Sequence, residues 1–283
     1  MIEAKKRFGQ NFLKDEAVLE KIIQSMPKND NVIVEIGPGL GDLTKKLLEI
    51  KDVIAFEIDR ELCAYLEERF KDEIKSGRLK LVCGDVLEQW ERNLVQRDYD
   101  LVANLPYYVA TNIVLKALQD DRCKNILVML QKEVADKFGA KEGNREFSSL
   151  SVLAQSSGDV ERVAVVKPES FSPPPKVDSA VLLINKKRNL EDGGFFDFLK
   201  TAFKQPRKTL MKNLSQVFDK ELLSSLFSRL NLASSVRPHQ ASTSIYHQIF
   251  KEVKEKIDGE QPKQSEQSTK ESADPAKPTK TTS

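Results

Sequence analysis

The sequence predicts an α/β fold: a mainly parallel sheet covered by helices on both faces, followed by a small helical domain. Three observations predict it. Through about residue 187, short apolar β-rich runs alternate with amphipathic helical stretches, and such alternation implies a parallel sheet. The first strand runs into a glycine-rich loop that opens a helix, as in open α/β sheets that bind nucleotides. After Asn189 the strand signal stops and only helical periodicity remains.

The elements follow in order. Residues 31–37, 52–59, 79–85, 98–104 and 124–130 read as strands, and residues 41–50, 60–71, 111–119 and 132–138 as the helices between them. Two later runs, 161–166 and 179–185, flank the Pro-rich loop 167–176 and suit a final strand pair closing one edge of the sheet. Helical periodicity returns at 195–203, 206–218, 220–230 and 243–257, with Pro206 suited to a helix start. From Asp258 onward no large apolar residue remains, which predicts a disordered tail. The expected organisation is a sheet domain over 1–188, a helical domain over 189–257 and a tail over 258–283.

Composition removes several function classes. A hydrophobic content of 40% in 283 residues supports a core, yet no apolar run approaches the length of a membrane helix. Residues 1–7 lack the apolar stretch and cleavage site of a signal peptide, so a cytoplasmic protein is expected, with no membrane partner. Cys63, Cys83 and Cys123 are odd in number and widely spaced, and read as small apolar core residues rather than a disulfide framework or zinc site. The two histidines, His239 and His247, make His-based metal chemistry a poor fit, and no metal is expected. Net charge is only +2, but eight basic residues against three acids lie between Lys186 and Lys212, and Lys5-Lys6-Arg7 forms a second basic cluster. Such clusters suit phosphate contacts.

The loop after the first strand is Glu35-Ile36-Gly37-Pro38-Gly39-Leu40-Gly41. Its glycines allow a tight turn and close approach of a ligand. Asp42 occupies the last glycine position of the dinucleotide fingerprint, and an acid two places before the first glycine is more typical of S-adenosylmethionine enzymes. The glycine pattern alone is weak, because plain turns also use it. Glu57 strengthens it: it ends the second strand, twenty residues after Gly37, where a carboxylate can accept from both ribose hydroxyls. Asp85 ends the third strand, placed to accept from an adenine amine. Three acids at successive strand ends converge on one crevice.

Asn104-Leu105-Pro106-Tyr107 ends the fourth strand and brings the chemistry to the same address. An adenine amine is a poor nucleophile because its lone pair is delocalised into the ring. The Asn104 side-chain oxygen and the Leu105 carbonyl beside Pro106 can each accept an amine proton, freeing the lone pair to attack an electrophilic methyl. Tyr107 offers a ring on which an extruded base can stack. On its own this tetrapeptide reads as a turn, since Asn and Pro both favour turns. Its position beside the acids reverses that reading.

These motifs, in this order, resemble the small-subunit ribosomal RNA adenine dimethyltransferases, the kasugamycin-sensitivity methyltransferase family. Residues 6–13, Lys-Arg-Phe-Gly-Gln-Asn-Phe-Leu, are similar to that family's cofactor lid, and residues 171–180, Phe-Ser-Pro-Pro-Pro-Lys-Val-Asp-Ser-Ala, to its late signature. Gln131-Lys132-Glu133-Val134-Ala135 also falls in family order after the fifth strand. The resemblance covers about residues 5–250. It implies a Rossmann-like S-adenosylmethionine-dependent methyltransferase fold, with 1–188 as the catalytic domain and 189–257 docking the RNA and ribosome. It further implies that Asn11, Leu13, Gly37, Glu57, Asp85 and Asn104 bind S-adenosylmethionine, and that Tyr107 and Phe171 sandwich the target adenine. The implied reaction places two methyls on each of two adjacent adenosines near the 3′ end of small-subunit (16S) rRNA, coupled to small-subunit biogenesis. The implied partners are that RNA and the small ribosomal subunit, met by a monomer.

The chain departs from the family pattern at Tyr108-Val109-Ala110-Thr111, at Phe147-Ser148-Ser149-Leu150, at Lys137 and at His239. None is an expected cofactor contact. Two rival readings stand beside the main one. Large-subunit RNA adenine methyltransferases of macrolide resistance share most of the constellation, and a ribosome-assembly factor with secondary catalysis would use the same basic surface. A dehydrogenase fits worse, because Asp42 breaks the fingerprint and no hydride-transfer site is visible.

Overall fold

Seven strands form one sheet in the computed structural model, which describes residue 5, residues 9–190 and residues 193–260. In chain order they follow a short outlying strand, β1 (Phe12–Leu13), and helix α1 (Glu16–Gln24). β2 (Val32–Ile36), α2 (Asp42–Leu48), β3 (Val53–Glu57), α3 (Arg60–Arg69), α4 (Lys71–Lys75), β4 (Leu79–Cys83) and α5 (Val86–Gln89) make the first half. β5 (Tyr99–Asn104), α6 (Ala110–Gln119), β6 (Cys123–Gln131), α7 (Lys132–Gly139), α8 (Ser149–Ser157), β7 (Gly158–Val166), a second short strand β8 (Phe171–Ser172) and β9 (Ser179–Lys186) make the second. The sheet order is β4-β3-β2-β5-β6-β9-β7. The first five strands in that order are parallel, while β9 runs antiparallel to both β6 and β7. The late strand pair expected from residues 161–166 and 179–185 does close one edge.

Side-chain alternation along the strands builds two cores, one per sheet face. On β2, Val32, Val34 and Ile36 face one core and Ile33 the other; on β6, Ile126, Val128 and Leu130 oppose Leu127 and Met129. α1 and α2 cover the second face with Leu19, Ile22, Leu43 and Leu47. The first face carries α6 and α8, and its core continues without a break into α9 (Phe195–Ala202), α10 (Leu210–Leu214), α11 (Lys220–Arg229) and α12 (Thr243–Glu260). His247 of α12 stacks on Phe195 at 4.5 Å and shares a 2.7 Å hydrogen bond with Ser156 of α8.

Several elements differ from expectation for identifiable reasons. The helix expected over 60–71 breaks after Arg69, where Phe70 leaves helical geometry (φ −116°) and buries its ring under the Gly41 loop. The helix expected over 206–218 begins at Leu210, capped by the Thr209 hydroxyl. Pro206 lies instead in a turn clamped by the buried Asn213 amide, which bonds the Gln205 backbone on both sides at 3.1 Å. α8 gave no periodic signal because Ser151, Val152, Leu153, Ala154, Ser156 and Ser157 are all buried, leaving no polar face. Cys123 is a buried core residue, but Cys63 and Cys83 are joined as a disulfide with Cα atoms 6.2 Å apart, and Cys83 is exposed. The register Glu57↔Cys83 brings the end of β4 beside α3, which carries Cys63. The tail expected from Asp258 falls partly on α12, which runs to Glu260; residues 261–283 lie outside the described residues. Among the described residues no helix is long and apolar enough to cross a membrane.

Candidate active site

β2 lies between β3 and β5, so the chain leaves it in opposite directions and a crevice opens above its carboxyl end. An open cleft lies there, about 1050 Å³ when the solvent space at its mouth is counted. It is lined by Gly37, Glu57, Asp85, Asn104 and Tyr107 from four strand ends, and by residues 9–13 on its remaining side. Asn11 and Leu13 are therefore in the same cleft as the strand-end residues.

The glycine loop is shaped by contacts no side chain tolerates. Gly39 has φ +60°, and a Cβ there would sit 3.0 Å from the Phe12 ring. Gly41 has φ +84°, and its Cβ would meet the Phe70 ring at 2.5 Å. Both conformations favour glycine, and both positions are closed to larger residues by an aromatic ring. Gly37 anchors the loop through its N–H to the Phe56 carbonyl, 2.8 Å away.

Three acids surround this loop in different states. Glu57 is 4% exposed and accepts from the Gly39 N–H at 3.2 Å and the Asp59 N–H at 2.9 Å. Burial pushes its carboxyl up, against the opposing effect of those amides. Glu35 is buried, with only the Thr44 hydroxyl among the described residues donating to it, at 2.6 Å, and burial pushes it up to about 8. Asp85 is half-buried and caps α5, accepting from the Leu87 N–H at 2.8 Å through one oxygen. Its second carboxylate oxygen has no donor among the described residues.

The wall formed by residues 9–13 is fixed at both ends. Gln10 donates to Asp59 at 3.0 Å, and the Lys5 ammonium bridges Asp59 at 2.8 Å and Glu61 at 2.7 Å. Burial alone would raise Asp59, but the bonds from Lys5 and Gln10 hold it below the ordinary carboxylate value. At the other end β1 pairs antiparallel with β8, Phe12 opposite Ser172 and Leu13 opposite Phe171. Asp15 extends the link by accepting from the Ser170 hydroxyl at 2.8 Å. Lys6, Arg7 and Phe8 lie outside the described residues.

Between these anchors the wall touches the strand-end motif. The Asn104 side-chain nitrogen donates to the Asn11 carbonyl at 3.2 Å. A carbonyl only accepts, so this contact selects the amide orientation and turns the Asn104 oxygen the other way. Leu105 is buried, its N–H held by the Met129 carbonyl at 3.0 Å, and no donor among the described residues takes its own carbonyl. Pro106 accepts from the Val109 and Ala110 N–H groups at 3.1 Å, starting α6 directly behind the motif. Two amine-proton acceptors are thus free at one place.

Phe171, expected to sandwich the target base, packs beneath the cleft wall. It is 4% exposed, packs with Leu13, Leu19 and Val181, and is absent from the cleft lining. The β1–β8 pairing explains this, because it sets Phe171 opposite Leu13 and draws the ring into the core beneath the wall. Tyr107 does line the cleft, half-buried, with its hydroxyl 2.5 Å from the Ser179 hydroxyl. Sequence reasoning missed Phe12, Asp59 and Ser179 as individuals, although each sits within two residues of a motif it singled out. It noted Tyr108 only as a departure; the structure puts this exposed ring on the cleft rim against Gly9.

The basic stretch divides. Lys186 turns inward onto the Ala117 and Asp120 carbonyls at 2.9 and 2.8 Å, Lys187 pairs with Asp159 at 2.7 Å, and Lys200 pairs with Asp197 at 2.8 Å. Lys204, Arg207, Lys208 and Lys212 are exposed, with no ion pair among the described residues.

Known proteins carry the same architecture. A dimethyladenosine transferase from Plasmodium falciparum superposes with a TM-score of 0.71 at 24% identity, covering 87% of this chain and 98% of that one. The 23S rRNA methyltransferase ErmE gives 0.66 at 21% identity, with 86% and 99% covered. At those identities both speak for the Rossmann-like methyltransferase fold alone. Sequence relatives are much nearer. Ribosomal RNA small subunit methyltransferase A of Sulfurimonas denitrificans is 58% identical over 250 residues, covering 88% of this chain and 94% of that protein. The protein of the same name in Campylobacter curvus is 54% identical over 267 residues, covering 90% and 94%. The family model for ribosomal RNA adenine dimethylases matches residues 1–257, the sheet and the helical segment together. With the strand-end acids, the glycine loop and the Asn-Leu-Pro-Tyr motif in one cleft, and relatives of that identity along nearly its whole length, the chain belongs to the ribosomal RNA adenine dimethylase family.

Proposed function

We propose that this protein transfers methyl groups from S-adenosylmethionine to the exocyclic amines of two adjacent adenosines near the 3′ end of small-subunit (16S) rRNA. The observation that carries this is the Asn104 amide, oriented by the Asn11 carbonyl beside the open Leu105 carbonyl, at the mouth of a cleft lined by acids. The cleft suits the cofactor: the glycine loop, Glu57 and Asp85 line it together, and Asp85 keeps one carboxylate oxygen free of donors among the described residues. When bound, S-adenosylmethionine supplies an electrophilic methyl on a sulfonium. Glu57 would accept from the ribose hydroxyls and Asp85 from the adenine amine, while Asn11, Leu13, Gly37 and Asn104 would close around the rest.

The protein's own part is positioning. Asn104 and Leu105 each accept one hydrogen of the target amine, which localises the lone pair and aims it in line with the methyl. Pro106 fixes the turn that presents both oxygens. Tyr107 gives the extruded base a ring to stack on. Phe171 completes a sandwich only by leaving its packing under Leu13, so we assign the platform to Tyr107. The proton of the methylated amine leaves through water.

The names of the sequence relatives specify the small subunit, at 46–58% identity across those considered, which favours this target over the large-subunit RNA of the resistance enzymes. Lys204, Arg207, Lys208 and Lys212 would meet the phosphates of a small ribosomal subunit, with the protein acting as a cytoplasmic monomer during subunit biogenesis. The test is to incubate the protein with radiolabelled S-adenosylmethionine and small subunits that lack this methylation, then map the label. Dimethyladenosine at two adjacent 3′ positions is expected. Label confined to large-subunit RNA overturns the proposal, and tight subunit binding without label replaces it with an assembly factor.

A further inference from the structure

The late signature reaches the cleft indirectly: Ser179 does not line it but bonds Tyr107, which does. Ser179 begins β9, is 0% exposed, and its backbone is flanked by Gln131 of β6 and Val166 of β7. Its hydroxyl has one partner among the described residues, the Tyr107 hydroxyl at 2.5 Å. Tyr107 sits on the loop between β5 and α6, whose backbone is held at Leu105, Val109 and Ala110. None of those bonds restrains the Tyr107 ring. The bond to Ser179 is that ring's one polar tether among the described residues.

We propose that Ser179 is a positioning residue for methyl transfer: it holds the Tyr107 ring at the angle on which the extruded adenine stacks. This rests on the reading of Tyr107 as the base platform. The physical need is plain. A tyrosine ring on a loop turns about two torsions, and a stacking surface that turns must be ordered again with each base it receives. Ser179 is suited to stop that turning because its own backbone is locked on both sides by strands. The segment before it is anchored as well: the Asp178 carbonyl accepts from the Lys132 N–H at 2.9 Å, and its carboxylate pairs with Lys167 at 2.7 Å. The phenol is thereby committed to holding the ring and takes no proton from the amine. Burial raises Tyr107 above its ordinary value, which agrees with a neutral hydroxyl acting as a tether.

The experiment is a double-mutant cycle on methyl transfer to small subunits, with Ser179→Ala, Tyr107→Phe and the two combined. Each single change removes the same bond, so each should slow single-turnover transfer about 3- to 10-fold, the worth of one neutral hydrogen bond. The KM for S-adenosylmethionine should stay at the wild-type value. The combined variant should be no slower than the slower single variant, because the bond can be lost only once. Losses that multiply in the combined variant overturn the proposal, since Ser179 would then act apart from Tyr107. Should Ser179→Ala fail to fold, Tyr107→Phe breaks the bond from the other side, and wild-type transfer by that variant overturns the proposal alone. Tyr107→Ala tests the underlying reading separately: wild-type transfer by it removes the base platform itself, whatever Ser179 does.

Discussion

At the scale of single residues, the cleft works by what each polar group is left free to do. Asn104 spends its amide nitrogen on Asn11, and its oxygen has no donor among the described residues. We therefore expect Asn104→Ala to lose about 100-fold or more in turnover, the usual cost of one preorganised group at a reacting centre, while binding small subunits as the wild type does. A filter-binding assay beside a methylation assay reads both. Glu35 gives a pH prediction. Its carboxyl is raised from 4.5 to about 8, so folding favours the neutral acid. That stabilisation is complete below pH 4.5 and is lost as pH rises through about 8, at about 1.4 kcal/mol per pH unit while only the unfolded chain is ionised. Glu35→Gln stays neutral throughout and keeps an acceptor for Thr44. Without cofactor, its melting temperature should fall less between pH 5 and pH 8 than that of the wild type; parallel curves would sink the assignment. Asn104, Glu57 and Asp85 were legible in the sequence because strand ends in an open α/β sheet share one address. Ser179 and Asp59 were not, because their meaning lies in partners 72 and 54 residues away. The buried position of Phe171 was hidden for a related reason: whether a ring lies beside a cleft or beneath it depends on strand pairing.

At the scale of elements, the N-terminal wall connects three functions. It lines the cleft, orients Asn104, and is paired through β1 to β8, the strand that carries Phe171. Its far end is held by Asp59, which also caps α3 through the Glu61 N–H at 3.1 Å. Asp59→Asn separates the two roles, because asparagine caps a helix as well as aspartate but gives Lys5 no charge to pair with. We expect the KM for S-adenosylmethionine to rise several-fold in this variant while the α3 cap is kept and thermal stability falls only slightly at neutral pH. An unchanged KM would mean that β1–β8 pairing alone keeps the wall in place. The depressed Asp59 carboxyl adds a direction: its contribution is present above the ordinary carboxylate range and is lost as pH falls below it. The strands around the cleft were readable from alternation and length. β1 and β8 were not, since two residues each carry no period. α8 was hidden because a helix buried on every side shows no polar face.

At the scale of the whole molecule, the sheet and the helical part are joined by one apolar core running through α8 into α9 and α12. The helical part therefore shares buried apolar packing with the sheet rather than meeting it through polar contacts alone. Sequence periodicity announced the helices but not this continuity, which depends on Phe195, Phe198 and Tyr246 meeting residues from another element. It also overstated the charge: of the basic residues from Lys186 to Lys212, three are engaged with carbonyls or acids of the protein itself. Phosphate contact should therefore fall on Lys204, Arg207 and Lys208, which share one clamped turn and carry no ion pair among the described residues. Each phosphate contact releases counterions, so its removal lowers the slope of log affinity against log salt by about 0.7 to 0.9. Replacing all three with Gln should reduce that slope by about 2 to 3 and weaken subunit binding most at low salt, with the KM for S-adenosylmethionine unchanged. A slope equal to the wild type's would place the RNA on another face. A change in cofactor KM would mean that the turn supports the cleft through the shared core, and the two outcomes separate docking from packing in one titration.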